Sequence, residues 1–154
     1  MNDESAIPGP ILVAIDLCEQ SAQTLGWAAR IARCGQTGLM VLLVAHDPDD
    51  RPGTFVSDTG EVEAITSVAE RRLHEFLGDN SDVLDGIEVT TEVVSGLPAS
   101  RTVEVADQID ASHIVIGSHG RSGWVDRVVG SEADRIIRHA RVPVTVVKVP
   151  PAAS

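Results

Sequence analysis

Between Ile11 and Ile15 every residue is apolar, the pattern of a strand covered on both faces of a parallel sheet. The period then changes. From Ser21 to Cys34 the residues Leu25, Ala28, Ala29 and Ala32 recur at helical spacing, and Gly35 supplies a stop. Leu39 to Ala45 is again continuously apolar and predicts a second strand, whereas Asp47 to Asp58 is rich in Pro, Gly and Asp and predicts a surface loop. From Glu61 to Leu77 the positions Val62, Ile65, Val68, Ala69, Leu73 and Phe76 make one apolar stripe, which predicts an amphipathic helix. Ile87 to Val94 alternates and is β-branched, a third strand. Gly96-Leu97-Pro98-Ala99 ends it and opens a helix to about Ile109, with proline near the first turn, where its missing N–H costs nothing. Ser112 to Gly117 is a fourth strand, Ser131 to Ala140 a last helix, and Val142 to Val149 a final strand.

Strands alternating with helices specify the α/β class: an open parallel five-stranded sheet with helices on both faces. With 154 residues, 43% of them hydrophobic, the chain can build one full core and is too short for two. One domain is expected over residues 11–149, with flexible segments at 1–10 and 150–154. No apolar run approaches the ~18 to 20 residues of a membrane span, and the first ten residues lack the basic and apolar regions of a signal peptide. No membrane association and a cytoplasmic location are therefore expected. Two cysteines, Cys18 and Cys34, are too few for a disulfide framework and read as reduced packing residues. A formal net charge of −11 argues against nucleic acid as a partner, since binding a phosphate backbone needs a basic face.

The chemistry concentrates in a comb of glycines. Gly117-Ser118-His119-Gly120 follows the run His113-Ile114-Val115-Ile116, nine residues intervene from Arg121 to Val129, and Gly130-Ser131 then opens a helix. Glycines allow a backbone to approach an anion closely, and the amides at a helix start attract negative charge. Right-handed crossovers bring the comb and Asp16, which follows the first strand, to the same edge of the sheet. This predicts a nucleotide phosphate site. It is not a P-loop, because the chain's one lysine, Lys148, lies in the last strand. Nor is it a dinucleotide fingerprint, because Asp16-Leu17-Cys18-Glu19 after the first strand contains no glycine.

The comb, with the form G-x2-G-x9-G-S, resembles the nucleotide-binding branch of the universal stress protein family. The resemblance extends to Ile11-Leu12-Val13-Ala14-Ile15-Asp16, to Gly96-Leu97-Pro98-Ala99, to Gly117-Ser118-His119-Gly120-Arg121-Ser122-Gly123 and to Val142-Pro143-Val144-Thr145-Val146-Val147. It implies strand order 3-2-1-4-5 and a set of ATP contacts. Asp16 would meet the nucleoside, because a carboxylate accepts from ribose hydroxyls or an adenine amine. Ala14 and Val41 would contact the adenine. Gly117, Gly120 and Gly130 would wrap the phosphates, with Ser118 and Ser131 adding donors and Mg²⁺ bridging the phosphates. The family's Asp-Gly-Ser after the first strand is here Asp16-Leu17-Cys18, which would narrow the room beside the ribose.

Three functions are compatible with these residues. The first is a stress-related regulator that binds ATP with little or no hydrolysis, since no base or nucleophile stands in a recognisable catalytic set and His46, His74, His113, His119 and His139 lack metal-ligand spacing. The second is a nucleotide-independent dimeric interaction module. Here the resemblance implies a homodimer through the strand from Val142 to Val149, with Pro143 limiting where hydrogen bonds form. The third, an enzyme that adenylates a substrate, would need a substrate domain for which this chain has no room.

Overall fold

The computed structural model describes residues 7–45, 54–56, 62–118 and 130–148. Five parallel strands form the main sheet: β1 (Ile11–Ile15), β2 (Leu39–Ala45), β5 (Val89–Ser95), β6 (His113–Gly117) and β7 (Val144–Val147). Their spatial order is β5-β2-β1-β6-β7, which is 3-2-1-4-5 when only these strands are counted. Helices α1 (Ser21–Cys34) and α2 (Ile65–Asp79) belong to the leftward half of the winding, and α3 (Pro98–Gln108) and α4 (Ser131–His139) to the rightward half.

The alternation of β1 divides the core in two. Ile11, Val13 and Ile15 pack with Leu25, Ala28 and Ala32 of α1 and Leu73 of α2 on one face. Leu12 packs with Leu42, Val105 of α3 and Ala133 and Ile136 of α4 on the other. A strand sandwiched in this way must be apolar at every position, which is why the first strand shows no polar interruption.

Two elements depart from the periodicity. The stripe beginning at Val62 predicts a helix, yet Val62–Ala64 is a short strand, β4, paired antiparallel with β3 (Thr54–Val56) inside the expected surface loop; α2 begins only at Ile65. Pairing with a segment six to ten residues upstream overrides the local helical period. A short 3-10 helix, Ser81–Leu84, also intervenes before β5. Elsewhere the strand and helix ends shift by a residue or two.

Within the expected flexible segment, residues 7–10 are tied to their neighbours by hydrogen bonds, although Pro8 and Gly9 are exposed. The Ile7 N–H donates to the Gly35 carbonyl at 2.8 Å, and a Cβ on Gly35 would collide with the Ile7 side chain. Glycine at position 35 therefore serves a close approach as well as a helix stop. The expected loose segments 1–6 and 150–154 lie outside the described residues.

At the other sheet edge β7 pairs with β6 alone. The Ile114 N–H donates to Pro143 O and the Ser118 N–H to Val147 O, both at 2.9 Å, so odd-numbered residues of this stretch turn their backbone groups toward β6. Val144 and Val146 turn theirs to the open edge. Pro143 thus removes a donor from the β6 side and leaves the outer edge uninterrupted. His113 adds a cross-strand bond, its Nε2 lying 2.6 Å from Thr145 Oγ1.

Two outcomes follow for stability. Leu42 is fully buried between α3 and α4, so Leu42→Ala is expected to cost about 2–5 kcal/mol, read from urea unfolding. Burial holds the His113 pKa below the ordinary histidine value, so the unfolded chain binds this proton more readily than the folded one. Stability is then expected to fall as pH drops below about 6.5 and to level off under the folded pKa, with His113→Gln removing that part of the pH dependence in unfolding curves.

Candidate functional site

The winding reverses between β1 and β6. From β1 the chain moves to β2 and β5 with α1 and α2 on one face, and from there it crosses to β6 and β7 with α3 and α4 on the other. At such a point the loops leaving the two strands diverge and open a crevice at their C-terminal ends. Ala14 is in register with Ile116, and continuing that register sets Asp16 level with Ser118.

Asp16 is held by the turn that follows it. Its Oδ1 accepts the Cys18 N–H at 3.1 Å and the Ser21 hydroxyl at 3.3 Å, and Ser21, the first residue of α1, is itself buried. Leu17 adopts φ 60°, a left-handed conformation that glycine reaches freely and that costs another residue roughly 1–2 kcal/mol. The turn therefore keeps a glycine-like backbone in spite of the leucine. The Leu17 side chain packs onto the α1–α2 cluster, whereas Ala14 packs on the α3–α4 side. Burial first, and then the hydrogen bond to Asp16, hold the Cys18 thiol above its ordinary pKa. It is protonated at neutral pH and is no nucleophile.

Gly117 ends β6, and Ser118 is buried beside it. The chain returns to the same place twelve residues later, where the Gly130 N–H donates to the Ser118 carbonyl at 2.7 Å. Gly130 caps α4 with φ −64° and ψ 162°, angles open to any residue, and Gly117 has no positive φ either. Backbone conformation therefore does not require glycine at either position. Among the described residues no side chain caps the α4 N-terminus, and the first intrahelical bond runs from the Asp134 N–H to Gly130 O, so the amides of residues 131–133 precede the helical ladder.

Two carboxylates lie in that first turn, and both are engaged. Glu132 Oε2 accepts the Ala99 N–H at 2.9 Å, and Asp134 Oδ2 accepts from Arg138 Nε at 2.9 Å. Neither is left to compete fully for an incoming anion.

The structure thus brings Asp16, Gly117, Ser118, Gly130 and Ser131 to one edge, with Ala14 on the adjoining stretch of β1. It does not bring Val41 there. Val41 is fully buried opposite Val13, in the middle of β2 and on the α1–α2 face. Val44, half-buried nearer the end of β2, lies on the same face as Ala14, because only even-numbered residues of β2 share that face. Gly120 lies outside the described residues. Glu132 and Ser21 were not marked by any motif, since their partners are 33 and five residues away. A separate groove of about 610 Å³ runs between α2 and β5 and is lined by Glu70, Leu73, His74, Thr91 and Val93. Strand β2 separates it from β1 and from the strand ends just described.

Comparison with known proteins places this architecture. Residues 9–148 match the universal stress protein family. A universal stress protein of Methanocaldococcus jannaschii is 42% identical over 142 residues, covering 91% of this chain and 82% of the relative. The chain spans 49% of the length of several mycobacterial relatives that it matches at 28% identity. Among solved structures, UspA of Lactobacillus plantarum superposes with a TM-score of 0.71 at 21% identity, covering 95% of this chain and 99% of that one. A universal stress protein of Archaeoglobus fulgidus in complex with dAMP superposes with a TM-score of 0.66 at 24% identity, covering 92% and 99%. The match over nearly the whole chain, together with this strand order, shows that the protein belongs to the universal stress protein family.

Proposed function

We propose that this protein is an ATP-binding regulator that responds to nucleotide with little or no hydrolysis. One observation carries the reading: the return of Gly130 to Ser118, beside the carboxylate of Asp16, at the switch point of the sheet. Asp16 accepts from the ribose hydroxyls or the adenine amine, and Ala14 and Val44 flank the base on the α3–α4 side. Gly117 and Gly130 admit the phosphates, and Ser118, Ser131 and the leading amides of α4 donate to them. Gly120 completes the phosphate-wrapping set. The complex with dAMP in the A. fulgidus relative supports an adenine nucleotide as the ligand class.

The donor set fits a phosphate chain because, among the described residues, no side chain caps the α4 start and its two acidic residues are committed elsewhere. Mg²⁺ supplies charge neutralisation along the phosphates, which a chain of net charge −11 needs in order to hold a polyanion near Asp16. Hydrolysis would require a positioned base and stabilisation of the transition-state charge. The sequence holds no recognisable set of base, nucleophile and charge-stabilising groups, so binding without turnover is the expected behaviour.

The open edge of β7 favours a second property, a homodimer through that strand. Val144 and Val146 present backbone donors and acceptors outward, and a twofold-related copy satisfies them. A dimer that works without nucleotide is the alternative reading, and two experiments separate it from the first.

Calorimetric titration with Mg-ATP is expected to give a Kd on the order of micromolar, and Gly130→Ala combined with Ser131→Ala to weaken it by about tenfold or more. No binding by the wild-type protein overturns the nucleotide reading. Val146→Pro removes an outward N–H while sparing the bonds to β6, so sedimentation is expected to show a monomer that still binds Mg-ATP. A dimer that survives this change has its interface elsewhere.

A further inference from the structure

We infer that Glu132 is the positioning residue of the phosphate-binding turn: its carboxylate pins the first turn of α4 to the first turn of α3 and thereby fixes where Gly130 and Ser131 present their donors. The inference rests on the nucleotide-binding reading and concerns a residue outside the motif that suggested it.

The geometry begins at the turn Gly96-Leu97-Pro98-Ala99. Gly96 has φ 131°, a conformation L residues rarely adopt, and a Cβ there would lie 3.0 Å from Arg101 Cγ. Glycine at this position lets the chain leave β5 and enter α3 at once. Pro98 opens the helix and has no N–H, so the Ala99 amide is the first of α3 that needs a partner. Ala99 is buried, so water is a poor substitute. Glu132 Oε2 supplies the acceptor at 2.9 Å. A carboxylate is well matched to that place, because the amide dipoles of α3 converge on it.

Seen from α4, the same bond is an anchor. The start of this helix is tied by two contacts from different directions: the Gly130 N–H to Ser118 O at the end of β6, and the Glu132 side chain to α3. Without the second, packing of Ala133 and Ile136 still seats the helix, but no side-chain bond fixes its leading residues, and the Ser131 hydroxyl and leading amides lose part of their fixed direction. Charge matters as well. Glu132 adjoins Ser131, and an unengaged carboxylate there would repel phosphate and compete for the same amides. Directed into the α3 N-terminus, it is held away from them and its charge is partly offset. Arg135 Nη1, 3.5 Å from Glu132 Oε1, adds to that offset.

The test is titration of the full chain with Mg-ATP and, separately, with adenosine, for wild type, Glu132→Gln, Glu132→Asp and Glu132→Ala, each first checked for a cooperative thermal transition. Glu132→Gln keeps an acceptor of the same length and is expected to retain Mg-ATP affinity within about threefold of wild type. Glu132→Ala is expected to weaken Mg-ATP by about tenfold or more while changing adenosine by less than about twofold, because the nucleoside end depends on Asp16. Glu132→Asp, one methylene too short to span to Ala99, is expected to show the same selective loss and serves if the alanine variant does not fold. Equal weakening of both ligands, no weakening of either, or a glutamine variant as impaired as alanine would overturn the positioning role. A wild-type protein that binds neither ligand overturns the nucleotide reading itself, and so the two failures are distinguishable.

Discussion

The parallel pairing of β1 with β6 is the contact on which the rest of the molecule depends. These strands are adjacent in space but separated in sequence by three helical crossovers, and the chain can bring them together only after winding outward to β5 and back across. Once paired, they decide which face each helix covers. Ile11, Leu12, Val13, Ile114 and Val115 are fully buried, so a shift of one residue in either strand would turn apolar side chains to the wrong layer on both faces. The register that satisfies the core also sets Asp16 level with Ser118. The site is therefore a consequence of packing, and its alignment needs no separate provision.

On the proposed nucleotide-binding reading, so acidic a chain would have to keep its own carboxylates out of a polyanion's way. Here that is done locally. Asp16 is oriented by the Cys18 amide and the Ser21 hydroxyl, Glu132 is turned into α3, and Asp134 is paired along α4 with Arg138. The exposed ion pair adds little stability, since solvent screens it. Its effect lies in direction, because it draws negative charge down the helix and away from the end where a phosphate would bind.

Most of the fold was legible because burial on both faces leaves an unmistakable signature. The five main strands and the apolar faces of α1, α3 and α4 follow from runs and periods within single segments. The misplaced features all depend on partners outside their own segment. The helical stripe beginning at Val62 gives way to a strand because Thr54–Val56 pairs with it, and Ile7 is ordered because Gly35 leaves it room. The site shows the same division. Glycines at 117 and 130 were visible as a comb, and Asp16 as the polar residue closing an apolar run. Val41 lies on the α1–α2 face, away from Ala14, and an apolar strand residue does not announce which face it occupies. Glu132 had no local signal at all, since its significance lies in an amide on another helix.

The contact of Gly130 with Ser118 and the open edge of the sheet are not independent parts. The Ser118 N–H is bonded to Val147 O on β7, and the Ser118 carbonyl accepts the Gly130 N–H, so two consecutive bonds connect the edge strand to the start of α4. An edge strand with one neighbour is held by half the ladder of a central one, and β7 spans only four residues. Whatever stiffens β7 along its outer side therefore also steadies the carbonyl that supports Ser118 and, through it, Gly130. By the same linkage, order imposed at Gly130 is transmitted back to Val147, because a free energy that couples two places acts equally in both directions.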